Sequence, residues 1–218
     1  MRSQQSGFTL VEIAIVLVII GLLLGGILKG QELINSAKVK NLANDFRVIP
    51  TYIYAYQDKF KSLPGDDSAA ASHVTGATNA TTPAANQGNG VINGNWNSTT
   101  QTDEAFLFWQ HVRLANLASG PTTVTDTLYI PKNALGGDIG ISSATPAQLQ
   151  VAGMTGTYQV CSAGVLGKFA KQLDIQMDDG NTATGSMRAV LDTAGAGSAA
   201  VATGSIDEAL PYTVCMTF

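Results

Sequence analysis

Glu12 is the one acid in an otherwise apolar run, GFTLVEIAIVLVIIGLLLGGIL, that extends from Gly7 to Leu28. A carboxylate at the depth of a spanning helix costs about 2.5–3.5 kcal/mol on insertion scales, so it calls for a cationic partner or a hydrated position near the headgroups. Two thiols, Cys161 and Cys215, sit in strand-like runs, TYQVC and YTVCMTF. In an oxidising compartment a disulfide between them is favoured, and buried free thiols are the alternative. Closing a loop of about 55 residues would contribute roughly 4 kcal/mol in the chain-entropy model. Asp178 and Asp179, with Asn181, offer oxygen ligands of the kind calcium takes. Their spacing does not match an EF-hand, and a helix-ending Asp-Gly turn explains them as well, so no metal site and no cofactor is expected.

Catalytic chemistry finds no footing. His73 lies in a low-complexity stretch and His111 on a core-type helix, and no nucleophile, histidine and acid fall into a known order. No glycine-rich loop follows a strand with the lysine of a phosphate cradle. The balance of 12 basic to 16 acidic residues is the wrong sign for a nucleic-acid surface, and none is expected as a partner. Charged residues make up 13% of the chain, about half the usual share, and small uncharged residues take their place. Such a surface suits secreted or densely packed assemblies.

The elements follow from periodicity. The apolar run holds about 21 residues after Gly7 and rises roughly 32 Å as a helix, enough to cross the hydrocarbon core of a bilayer. No small-x-small cleavage site follows Leu28, so the run is not a secretory signal that is removed. The helical pattern continues instead, with Leu33, Ala37, Leu42, Phe46, Ile49, Ile53, Tyr56 and Phe60 on one stripe. Pro50 predicts a kink. Gly25, Gly26 and Gly30 either loosen the helix or let small residues pack closely. The helix stops at Ser62-Leu63-Pro64-Gly65, and residues 66–102 read as a long, partly ordered surface loop attached at Val91, Ile92 and Trp96. A short amphipathic helix is expected over 102–118, capped by Thr102, with Phe106, Trp109, Val112 and Leu117 inward. Strands are expected at Thr127–Pro131, Thr157–Cys161, Met187–Leu191 and Tyr212–Phe218, with a helix through Leu166, Phe169, Leu173 and Met177 between the second and third. The fold class is α+β, an antiparallel sheet packed on the amphipathic half of the first helix.

The residues GFTLVEIAIVLVIIG closely resemble the amino-terminal signature of the prepilins, precursors of type IV pilins and of type II secretion pseudopilins. Thr9, Leu10, Val11, Glu12 and Gly21 fall in its register. The resemblance implies that a prepilin peptidase cuts between Gly7 and Phe8 and that the new terminal Phe8 is N-methylated. It also implies that Glu12 pairs with the terminal amine of an adjacent subunit. The expected parts are a leader (1–7), a transmembrane or filament-core helix (8–28), its amphipathic continuation (29–61) and a periplasmic α+β domain (62–218). Partners would be the peptidase, identical or related pilin subunits, and an inner-membrane assembly platform. Charge counting does not favour a cytoplasmic leader, since Arg2 precedes the span while Lys29, Lys38 and Lys40 follow it. The orientation therefore rests on the resemblance. The expected function is a non-enzymatic subunit of a type IV pilus-like filament. The alternatives are a pseudopilin of a secretion machine and an anchored binding or adhesive domain that never polymerises.

Overall fold

The computed structural model describes residues 9–84 and 87–218. Gly7 and Phe8 lie outside them. Helix α1 runs Leu10–Phe60 and continues through Pro50. It is followed by a single turn, α2 (Ala70–His73), then α3 (Glu104–Leu114), β1 (Ile139–Ser143), β2 (Tyr158–Leu166), α4 (Gly167–Met177), β3 (Met187–Leu191), a short 3-10 turn and β4 (Pro211–Thr217). The chain divides into two compact units, one reaching Lys38 and the other Val39–Phe218.

The second unit is an α+β domain around a four-stranded antiparallel sheet of order β1-β2-β4-β3. Period-2 alternation divides the side chains of the strands between two faces. Ile139, Ile141, Val160, Ala189, Tyr212 and Val214 share the main core with Val39, Leu42, Phe46, Ile49 and Ile53 of α1 and with Phe106, Phe108, Trp109 and Val112 of α3. Cys161, Val190 and Cys215 turn to a smaller cluster with Trp96, Leu149, Val151 and Met154. Cys161 and Cys215 face each other in the β2–β4 register and are joined as a disulfide. The buried stripe of α1 begins at Val39. Leu33 and Ala37, expected on it, are exposed and belong to the first unit.

Three other expectations change. Residues 66–84 and 87–102 are not a loosely attached loop, because carboxylates gather their backbone amides. The Asp66 carboxylate accepts from the amides of Gly88 (2.6 Å), Asn89 (3.2 Å) and Gly90 (2.7 Å). Asp67 accepts from the Tyr56 hydroxyl at 2.8 Å and from the Ala69 amide at 2.9 Å, and its Oδ2 lies 2.7 Å from Nδ1 of His73. Ile92 and Trp96 are buried, as anticipated, whereas Val91 is only partly covered. Gly65 takes φ +93°, and a Cβ there would strike the Glu104 carbonyl, so the turn that places both acids requires glycine.

Helix α3 begins at Glu104 after Asp103, not at Thr102, and residues Glu104–Arg113 are all buried, so it is a core helix and not an amphipathic one. The buried Arg113 donates Nη1 to the carbonyls of Pro121 (2.9 Å) and Tyr129 (2.6 Å) and lies over the rings of Trp109 and Tyr129. That bond explains why Thr127–Pro131 is not a strand. The Tyr129 carbonyl serves Arg113, and its hydroxyl donates to the Phe106 carbonyl. The first strand is Ile139–Ser143 instead. A Cβ on Gly140 would meet the Trp96 carbonyl, and Ser143 exchanges bonds with Ile92 through its backbone amide and its hydroxyl.

His111 is fully buried and held as one neutral tautomer: Nδ1 accepts from the Gly65 amide at 2.9 Å, so Nε2 carries the proton and donates to the Thr78 carbonyl at 2.7 Å. Burial holds its pKa below the ordinary value.

Glu104 is fully buried, with Oε2 accepting from the Asn93 amide (2.7 Å) and side chain (2.9 Å). Burial, with the charge of Asp66 adding to it, outweighs those bonds and pushes its carboxyl up to about 7 from 4.5. Between those values the folded state holds the extra proton, so this group's contribution to stability is lost as pH rises through about 7. Glu104→Gln removes the linkage. Urea unfolding at a series of pH values should show the variant gaining on the wild type from about pH 5 to 7, by at most about 1.4 kcal/mol per pH unit. A difference independent of pH would refute the assignment. Replacing both cysteines with serine should lower the unfolding free energy by up to about 4 kcal/mol, read from the denaturant midpoint at constant slope.

Candidate processing and assembly segment

The start of α1 is built by two residues three apart. The Thr9 amide donates to Oε2 of Glu12 at 2.8 Å, the Thr9 hydroxyl donates to the same oxygen at 2.7 Å, and the Glu12 amide donates back to the Thr9 hydroxyl at 3.3 Å. This is the reciprocal arrangement of a capping box, which satisfies amides the helix cannot satisfy itself. Placing a carboxylate at the positive end of the helix dipole adds to it. Thr9 was not anticipated as the partner of Glu12, although the Thr-x-x-Glu spacing carries that signal. Gly7 and Phe8, the residues of the expected cut, precede the described chain.

From Leu10 to Leu28 the side chains are exposed among the described residues: Leu10 is 86% exposed, Leu22 74% and Leu28 65%. An 18-residue window of α1 has a mean hydropathy of 2.8, so this helix is long and apolar enough to cross a membrane. A Cβ on Gly21, Gly25, Gly26 or Gly30 would meet nothing within 4 Å. Among the described residues these glycines have open space around them. Lys29 and Glu32, just past the run, form an exposed ion pair at 2.7 Å, the first charged residues of the helix after Glu12.

The remaining candidates lie in the second unit. Asp178 and Asp179 come together with Asp174, one carboxylate oxygen from each lying within 4.8 Å of the others. Asn181 takes a different part: its amide donates to Asp179 at 2.8 Å and its Oδ1 accepts from the Ala183 amide at 3.3 Å. Sequence reasoning passed over Asp174, whose spacing of four from Asp178 along a helix was the available signal. His73 and His111 are both engaged in the hydrogen bonds that close the turns around Gly65 and Asp67.

No curated protein and no solved structure matches the chain. Residues 2–28 match the family model described as the prokaryotic N-terminal methylation motif, so the chain carries the amino-terminal signal of type IV prepilins and pseudopilins.

Proposed function

We propose that this chain is a structural subunit of a type IV pilus-like filament, cut by a prepilin peptidase between Gly7 and Phe8 and assembled through the exposed half of α1. The observation that supports it most is the pairing of the methylation motif with a helix whose apolar side chains, from Leu10 to Leu28, are exposed among the described residues. Lipid covers such a surface before assembly and neighbouring helices cover it afterwards. Repeated contacts that do not close on themselves then make a fibre.

Cleavage would leave the ammonium of Phe8 one residue before the Thr9–Glu12 cap. Within a single chain, Glu12 satisfies the start of its own helix. In a filament, the terminal amine of an adjacent subunit competes for the same carboxylate, which neutralises two charges and fixes the axial step. The partners are the peptidase, related pilin subunits and an inner-membrane platform, with the domain on the periplasmic side. The domain has no catalytic part in this reading.

The membrane-inserted subunit should tolerate Glu12→Val, because the substitution removes a charge from an apolar run. Cleavage should be normal on an immunoblot, while filaments sheared from cells and counted by electron microscopy should fall at least about tenfold; undiminished filaments would sink the assembly role. Deleting the chain should abolish a pilus phenotype, such as twitching or DNA uptake. Loss of enzyme secretion in its place would assign it to a secretion pseudopilus.

A further inference from the structure

A cleft of about 330 Å³ opens on the sheet face that carries the disulfide, a volume within the range of small-ligand sites. Cys161 and Ala163 on β2, and Thr213 and Cys215 on β4, are spaced by two and so share that face. The cleft is lined by Asn95, Trp96 and Asn97 from one loop and by Asp192 and Ala194 from the turn after β3. Asp138, just before β1, also reaches it.

The walls are tied together by Gln150, a buried side chain only 8% exposed. Its Oε1 accepts from Nε1 of Trp96 at 3.1 Å, and its Nε2 donates to the carbonyls of Ala194 (3.0 Å) and Gly195 (3.4 Å). The Trp96 loop is fixed again by Gln148, whose Nε2 donates to the Gly94 carbonyl at 2.7 Å. A cleft held in this way needs little ordering when a ligand enters, which lowers the cost of binding.

The polar groups at its rim are the ones the fold leaves over. Asn95 and Asn97 are exposed, and neither side chain makes a hydrogen bond among the described residues. Asp192 uses Oδ1 for the Gly164 amide (3.1 Å) and the Thr213 hydroxyl (2.6 Å), and Asp138 uses Oδ1 for the Lys132 ammonium. The second oxygen of each carboxylate receives no hydrogen bond among the described residues. The rim therefore offers amide donors beside amide and carboxylate acceptors, and a hydroxyl group both donates and accepts.

Charge and polarity narrow the ligand further. Two carboxylates and no lysine or arginine line the cleft among the described residues, so an anion is repelled. Lys132 pairs with Asp138 from a neighbouring cleft, so no cation is called for to balance that acid. A wholly apolar ligand would strand the amides. Ala163, Ala194 and the edge of Trp96 supply a small apolar floor, which suits the C–H face of a sugar ring whose hydroxyls meet the polar rim.

We propose that this cleft binds one unit of a neutral saccharide, as a free sugar or as the end of a glycan chain. Asn95 and Asn97 donate to its hydroxyls and accept from them, and Asp138 and Asp192 accept. The proposal goes beyond the filament reading and does not depend on it.

The test presents the full-length protein, in a detergent without a sugar headgroup, to a printed array of neutral and sialylated oligosaccharides. Neutral glycans should be retained and sialylated ones not, because a carboxylate on the ligand meets Asp138 and Asp192. The neutral glycan retained most strongly, and the monosaccharide at its end, are then titrated in solution by calorimetry. Binding of the monosaccharide assigns a free-sugar site, and binding of the oligosaccharide alone assigns a chain-end site. The double variant Asn95→Ala, Asn97→Ala should keep the wild-type thermal midpoint, since neither side chain is bonded within the fold, and should lose at least about tenfold in affinity. Absence of saturable binding of any neutral glycan up to about 10 mM, equal retention of sialylated ones, or wild-type affinity in the double variant would overturn the proposal.

Discussion

Everything in this chain answers to the uncovered apolar face of α1. A large aliphatic side chain left in water forgoes about 1.5–3 kcal/mol, and the run from Leu10 to Leu28 leaves most of its side chains bare. An apolar surface of that kind is one that lipid or other helices would cover. The same environment explains the care taken at its start. Where water cannot reach, an unsatisfied amide costs several kcal/mol, and the Thr9–Glu12 cap satisfies both ends of the exchange within four residues. Glu12 thus serves the single chain by itself.

Past Val39 the helix changes its role and becomes the core of an antiparallel α+β domain. That domain has few charges to spend, and it uses several acids as acceptors for backbone amides. Asp66 collects three amides and Asp67 one, and Glu104 takes one more from Asn93. Asp192 performs the same service between Gly164 and Thr213. Asp66, Glu104 and Asp192 join segments 11 or more residues apart, and Asp67 does so through the Tyr56 hydroxyl, which is how a stretch rich in alanine, threonine and glycine becomes ordered without a large apolar core of its own. The disulfide closes the other face of the sheet, opposite the helices.

Where periodicity or a fixed register carried the signal, the sequence could be read directly. The apolar helix, its continuation, the first half of β2, α4 from Gly167, β3, β4 and the facing cysteines all have patterns of spacing that survive folding, whereas Leu166, expected on the helix, closes β2. The misses have particular causes. Thr127–Pro131 has strand composition, but Arg113 claims its central carbonyl, a contact formed across 16 residues that composition does not reveal. Ile139–Ser143 looks poor as a strand because Gly140 fits the Trp96 backbone, Ser143 bonds Ile92 and Ser142 accepts from Gln159, not a generic core. The order imposed on residues 66–102 depends on Asp66 and Asp67 meeting amides more than 20 positions away in one case and a tyrosine on α1 in the other.

The most direct test is to determine the amino terminus of the chain recovered from filaments sheared off cells, using mass spectrometry of its first proteolytic peptide. The expected result is a chain beginning at Phe8 and carrying one added methyl group on its amine. A filament chain that still begins at Met1, or one cut on the far side of Leu28 so that the apolar run is gone, would contradict the claim that this helix is kept as the assembly element.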